Sequence, residues 1–404
     1  MSAGKVLAFG AWDRGDGYPR GAALLEGLRG AGVEVEECSF EAPYAGVDKK
    51  RLLRSPWLWP SYWWAMRAVR RRASRSLRRA VRDFRPDVVL VLYPGHWTIH
   101  WIRRVWGGPV VLDLFLSAYD TAVVDRKMFS PRSLTARLLA RLDQRAVGAA
   151  QAVLFDTAQN AQHLAAQTRL DAARCHVVPV STVTEPWEVT PYRAPGSDEV
   201  LEVLFFGTGV PLHGLGHLLD ALEQCEGVRL TVVGGAAEDR QRAQAMPSHK
   251  VCVAGEFLPA EQLRGYIDRA HLVAGVFGTS SKARRVVPLK VMLALSAGRP
   301  VITGRTPAIT TTLRDGVECV TVPVGDAPSL ASALQRLSKA PDELRALAAA
   351  SRSAYQREFS LRRVGDRLRA VCAALSTEAE VVPAPPATGE GLTPPARDLE
   401  ASLR

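Results

Sequence analysis

Short apolar runs recur along the chain, separated by stretches whose apolar residues fall three or four apart. In the first half the runs are KVLAFG (5–10), VEVEECSF (33–40), DVVLVLYPG (87–95), PVVLDLF (109–115), AVLFDT (152–157) and HVVPV (176–180). Between the first two, Ala22, Leu25 and Leu28 recur at helical spacing and Gly32 closes the turn. Strand, helix, strand in that order predicts a parallel sheet. Residues 185–200, rich in Pro and Glu and without period, read as a linker. Alternation then resumes with VLEVLFFGTG (200–209), VRLTVVGG (228–235), KVCVAGEF (250–257), LVAGVFG (272–278), PVITG (300–304) and CVTVPV (319–324). The pattern predicts two Rossmann-like α/β domains in tandem, over 1–187 and 188–375. One long helix is predicted over 353–375, and the Pro-rich residues 376–404 read as a disordered tail.

A length of 404 residues and 47% apolar content suit two buried cores. No apolar run reaches the roughly 18 residues of a membrane helix, and residue 1 onward leads into a strand without a secretory pattern. Six scattered cysteines lack the spacing of a zinc site or disulfide framework. A cytoplasmic protein without a bound metal is the expectation.

Charge is the first departure from an ordinary globular chain. The formal net charge is +11, and thirteen Lys and Arg residues fall between Lys49 and Arg85 against one acid, Asp83. Trp57, Trp59, Trp63 and Trp64 lie in the same stretch. Tryptophans beside clustered arginines read as a membrane-surface helix pair on anionic lipid, which would make the protein peripheral on the inner face of the cell membrane. Two other readings stand beside it: core tryptophans under a solvated arginine face, and a nucleic-acid surface, against which no other part of the chain resembles such a module.

A second basic cluster lies between two strand-like runs. Lys282, Arg284, Arg285 and Lys290 occur there without an acid, and Pro288 opens the next helix. Ligands of doubly wound sheets bind at the carboxyl ends of strands, where helix starts favour phosphate. Lys282, Arg285 and Lys290 are therefore predicted to converge on one anion, with solvated charge as the alternative, especially for Arg284. Another strand ends in Gly207-Thr208-Gly209, and a helix begins near His213-Gly214, so backbone amides there are placed to approach an oxyanion unless the turn is purely structural.

FGTGVPLHGLGHLLDAL, FGTSSKARRVVPLKVMLALSAGRPVIT, PAITTTLRDG and VPVGDAPSLASAL together resemble the donor domain of retaining family 4 glycosyltransferases of the GT-B fold. GYPRGAALLEGL, LVLYPGHW, LDLFLSAYDTAVVDRK and LFDTAQNA resemble the first domain of the same bacterial branch, so the likeness spans roughly residues 5–375. It implies an α/β protein with two Rossmann-like domains whose parallel sheets face a central cleft. A nucleotide diphosphate sugar would sit in the second domain and a lipid-linked or glycan acceptor in the first, with no cofactor, no obligatory metal and no nucleic acid. It also implies that the last helix packs back on the first domain.

Several positions depart from the family pattern. Thr208 and His213 stand where many members carry Arg and Lys; Arg285 and Leu293 stand at the usual glutamate pair, and Thr311 at a third Glu. Donor contacts would then fall to Gly207, Thr208, His213, Gly214, Lys282, Arg285, Pro288 and Lys290. Preorganised cations would stabilise the leaving diphosphate. Strand ends of the first domain offer Asp113 and His96 as the catalytic candidates, for orienting donor sugar or acceptor or, as the alternative, serving as a base. Ser117, Tyr119, Asp120, Arg126, Gly17, Tyr18 and Arg20 are the remaining cleft candidates. The missing glutamates keep a second reading open, a catalytically silent GT-B protein that binds nucleotide or sugar as a partner or sensor.

Overall fold

The structure, a computed structural model, describes residues 4–12, 19–41, 59–182, 190–196 and 198–381. It contains two parallel sheets of six strands each. The first is ordered β2-β1-β3-β4-β5-β6, from β1 (Lys5–Gly10), β2 (Glu34–Ser39), β3 (Val88–Val91), β4 (Val110–Asp113), β5 (Ala152–Phe155) and β6 (Cys175–Val177). The second is ordered β12-β11-β10-β7-β8-β9. Its strands are β7 (Leu201–Thr208), β8 (Val228–Gly235), β9 (Val251–Gly255), β10 (Leu272–Ala274), β11 (Val301–Gly304) and β12 (Val320–Val322). All pairings are parallel. Strands buried on both faces need continuous apolar runs, and β3, β4 and β5 are buried at every residue.

Helices cover both faces. In the first half, α1 (Arg20–Gly30) lies on one face. On the other lie α2 (Trp59–Phe84), α3 (Ile99–Ile102), α4 (Leu134–Gly148) and α5 (Ala158–Thr168). Ala73, Leu77, Ala80 and Phe84 of α2 recur at helical spacing and enter the core, while Arg71, Arg72, Arg75, Arg78, Arg79 and Arg82 face out. The side chains of Trp59 and Trp63 are among those not described, as are Trp57 and the cations Lys49, Lys50, Arg51 and Arg54; Trp64 is 63% exposed. Among the described residues no helix is long and apolar enough to cross a membrane. The six cysteines are free.

The second sheet carries α6 (Leu215–Glu223), α7 (Ala237–Ala245), α8 (Ala260–Arg269), α9 (Leu289–Ser296), α10 (Pro307–Thr312), α11 (Ala327–Ser338) and α12 (Pro341–Glu358). The single helix expected over 353–375 is instead two, α12 and α13 (Leu361–Val381). Phe359 turns into the core beside Tyr355, and the Ser360 hydroxyl accepts from the Arg363 N–H at 3.2 Å, capping the new helix. The helix also covers 376–381, six residues of the stretch read as tail. Val364, Leu368, Val371, Cys372 and Leu375 of α13 pack with Leu24, Leu25 and Leu28 of α1, so the last of the described helices completes the core of the first half.

Candidate functional site

Strand order reverses between β7 and β10, and the carboxyl ends of these two strands meet there. β7 runs out through Gly207 and Thr208 into a turn at Pro211–His213, and Gly214 then caps α6 in the left-handed region, φ 64°. A Cβ on Gly214 would stand 2.5 Å from the Gly278 nitrogen, so the turn demands glycine. Backbone bonds lock the two strand ends: Phe277 N–H donates to His213 O at 3.1 Å and Gly278 N–H to Leu212 O at 3.2 Å.

Lys290 rises from the first turn of α9 behind this lock. Its ammonium is 3.9 Å from the Phe205 ring centroid, the residue is 4% exposed, and Nζ has no hydrogen-bond partner among the described residues. Burial pushes its pKa well below the ordinary 10.5. A side chain on Gly207 would meet His213 Cε1 at 2.7 Å and Lys290 Nζ at 3.3 Å, so the missing Cβ leaves the space in front of both open. Burial, then the Lys290 charge, push His213 down to about 3. A buried, unpaired ammonium beside a neutral imidazole and a glycine turn is a cradle for an anion.

Lys282 and Arg285, expected on the same anion, bind carboxylates of the first half instead. Arg285 Nη2 donates to Asp120 Oδ1 at 2.8 Å and Nη1 to Asn160 Oδ1 at 2.9 Å, while its carbonyl accepts from the Thr157 hydroxyl. Lys282 Nζ lies 3.0 Å from Asp125 Oδ2. Both pairs are largely buried. A cation shut away from water between the halves needs an acid opposite it, because an unpaired buried charge is costly. Arg284 is exposed, and Pro288 is the residue immediately before α9.

The first half presents its candidates differently. Asp113 ends β4 at 1% exposure; Arg20 Nε donates to its Oδ1 at 2.8 Å and Arg20 Nη1 to Val178 O at 2.9 Å. Burial raises the Asp113 pKa, and Arg20 opposes the rise. Asp156, also buried and raised by burial, is held by Asn160 Nδ2 at 2.7 Å. His96 is 3% exposed on the turn Gly95–Trp97, its ring 6.0 Å from Tyr93 and 5.5 Å from Trp97. Ser117 builds the loop after β4: its hydroxyl donates to Asp143 Oδ2 at 2.7 Å and accepts from the Asp120 N–H at 2.9 Å. The Tyr119 N–H donates to the same Asp143 oxygen at 3.0 Å. Gly17 and Tyr18 lie outside the described residues.

A cavity of about 640 Å³ opens between the halves. Residues 124–127 line it on one side, with 209–211 and 280–282 on the other, so Arg126, Lys127 and Lys282 all reach it. The donor-side candidates at Gly207, His213 and Lys290 thus come together, while Asp113 and Arg20 form a sealed pair within the first half. Asp125, Lys127, Asp143, Asp156 and Asn160 escaped sequence reasoning. Only the run Asp156-Thr157-Ala158-Gln159-Asn160 carried a signal, a strand end followed by an N-cap, which Thr157 provides.

These two open α/β sheets, facing each other across a cleft and stitched by a returning helix, define the GT-B fold. Both halves carry glycosyltransferase domains. Residues 19–181 match the family model described as "Glycosyl transferase 4-like domain" and residues 201–340 that described as "Glycosyl transferases group 1". A search of curated protein sequences finds no match. Solved structures share the fold at low identity. Sucrose-phosphate synthase from Thermosynechococcus elongatus superposes with a TM-score of 0.67 at 16% identity, covering 93% of this chain and 100% of that one. HepE of Anabaena, solved with UDP and glucose, gives 0.61 at 17%, covering 91% and 99%. The lipopolysaccharide outer core galactosyltransferase WaaB gives 0.62 at 13%, covering 92% and 99%.

Proposed function

We propose that the chain transfers a sugar, with retention, from a nucleotide diphosphate sugar to a lipid-linked or cell-envelope glycan acceptor. The observation that carries this is Lys290, a buried cation left without a partner at the point where the second sheet reverses. A diphosphate supplies the charge that Lys290 lacks, and the amides of the β7 turn supply hydrogen bonds. As the bond from the anomeric carbon to the diphosphate breaks, negative charge grows on the departing oxygen, where Lys290 stabilises it without a resident metal. The acceptor hydroxyl enters on the same face from the cavity lined by residues 124–127. Asp113 and His96 act on the first-half side by holding the loops that frame the acceptor, Asp113 through Arg20.

The test is a panel of nucleotide sugars, headed by UDP-glucose because HepE is described with UDP and glucose, read by thermal shift and by mass spectrometry of products. Stabilisation with turnover supports transfer; no stabilisation by any donor removes the proposal. A second reading has its own observation: Arg285 is committed to Asp120 and Asn160, and Leu293 packs against the apolar core, so neither replaces the expected glutamates. Stabilisation without turnover would favour that reading, a nucleotide-binding partner or sensor. The outward arginines of α2 fit an anionic membrane surface, which suits a lipid-linked acceptor.

A further inference from the structure

The segment from Thr121 to Gly148 has two acids, and both are turned inward: Asp125 is paired with Lys282, and Asp143 is fully buried under the loop at Ser117. Its six cations, Arg126, Lys127, Arg132, Arg137, Arg141 and Arg145, are all exposed. Interleaved with them are aliphatic side chains that the described residues leave partly or largely open. Leu134 and Leu138, one turn apart on α4, are 68% and 54% exposed, and Val124 and Met128 are 37% and 38% exposed. A single exposed leucine is ordinary, but a stripe of aliphatics flanked only by cations is not. The stripe is continuous in the chain with the cleft, because Val124, Arg126 and Lys127 also line the cavity between the halves. The helix bearing it covers the same sheet face as the basic helix α2.

We propose that this face, Val124 to Met128 together with the outer side of α4, seats the protein on an anionic lipid bilayer with the mouth of the cleft against the headgroups. The leucines enter the interface, the arginines and Lys127 reach lipid phosphates, and an acceptor anchored in the same bilayer enters the cavity without leaving the membrane. The inference rests on the lipid-linked acceptor reading and adds to it a second contact that fixes which way the cleft points.

The experiment is flotation of the full chain with vesicles of phosphatidylcholine, with and without phosphatidylglycerol. It compares wild type, the double variant Leu134→Asp with Leu138→Asp, and the α2 variant Arg75→Glu with Arg78→Glu. The leucine variant should lose about tenfold or more in partitioning to the anionic vesicles, because two interfacial leucines are removed. Its melting temperature should stay unchanged, since both side chains already face solvent. Flotation of the leucine variant equal to wild type overturns the inference; if the α2 variant alone fails to float, membrane binding survives through α2. Wild type that does not float but retards an oligonucleotide overturns both membrane statements, as does a leucine-dependent dimer in light scattering without flotation. Thermal shift with nucleotide sugars reports separately on the donor site.

Discussion

Lys290 and His213 share one physical condition: each is held where burial disfavours its charged form, and His213 also has the Lys290 charge as a neighbour. For Lys290 the unfolded chain binds more protons than the fold, so stability without ligand rises with pH toward 10.5. Lys290→Met keeps the volume and removes the unpaired amine. The variant should melt at or above the wild-type temperature, lose that pH slope, and bind nucleotide diphosphate about 10- to 100-fold more weakly in calorimetry. A lower melting temperature with unchanged affinity would mean that the ammonium is structural. His213 gives the acid-side counterpart. Its folded pKa of about 3 lies below the ordinary 6.5, so its neutral form supports the fold fully above pH 6.5. That contribution is lost as pH falls toward 3, and His213→Gln should flatten the melting profile over that window.

At the scale of elements, the junction of α1 and α13 is the tightest. A Cβ on Gly365 would lie 1.9 Å from the Gly27 carbonyl oxygen and one on Gly27 would lie 2.9 Å from the Gly365 nitrogen. Gly365→Ala should therefore cost about 1–3 kcal/mol, seen as a lower denaturation midpoint, because two backbones must separate. An Ala variant as stable as wild type would show that the helices are free to slide. The inner strands β3, β4 and β5 were legible in sequence because parallel strands buried on both faces are apolar nearly throughout, whereas the edge strand β2, EVEECS, is largely open and showed only as alternation within 33–40. The break at Phe359-Ser360 was not legible, since a phenylalanine at helical spacing fits an unbroken helix equally well. The glycine turn at 207–214 could be read from local spacing alone. What Lys282 and Arg285 hold could not, because Asp125 and Asp120 lie 157 and 165 residues away in the chain.

Those distant partners govern the molecule as a whole. Arg285 with Asp120 and Asn160, Lys282 with Asp125, and Gln159 Nε2 donating to Thr311 Oγ1 at 3.0 Å all cross between the halves. Breaking a buried ion pair from one side leaves a charge without water, usually at a cost of about 3–5 kcal/mol. Here a hinge opening offers a less costly escape than unfolding, since it returns both groups to solvent. Asp120→Ala should therefore leave melting nearly unchanged while the solution scattering profile broadens, with a radius of gyration larger by about 1–2 Å. Exchanging the charges, Asp120→Arg with Arg285→Asp, should restore the compact profile in part. Added salt should move wild type little, because the pairs are shielded from the ions that screen surface charge. A wild-type profile that opens on modest salt, or an Asp120→Ala profile identical to wild type, would show that apolar contacts close the cleft and that the ion pairs merely follow.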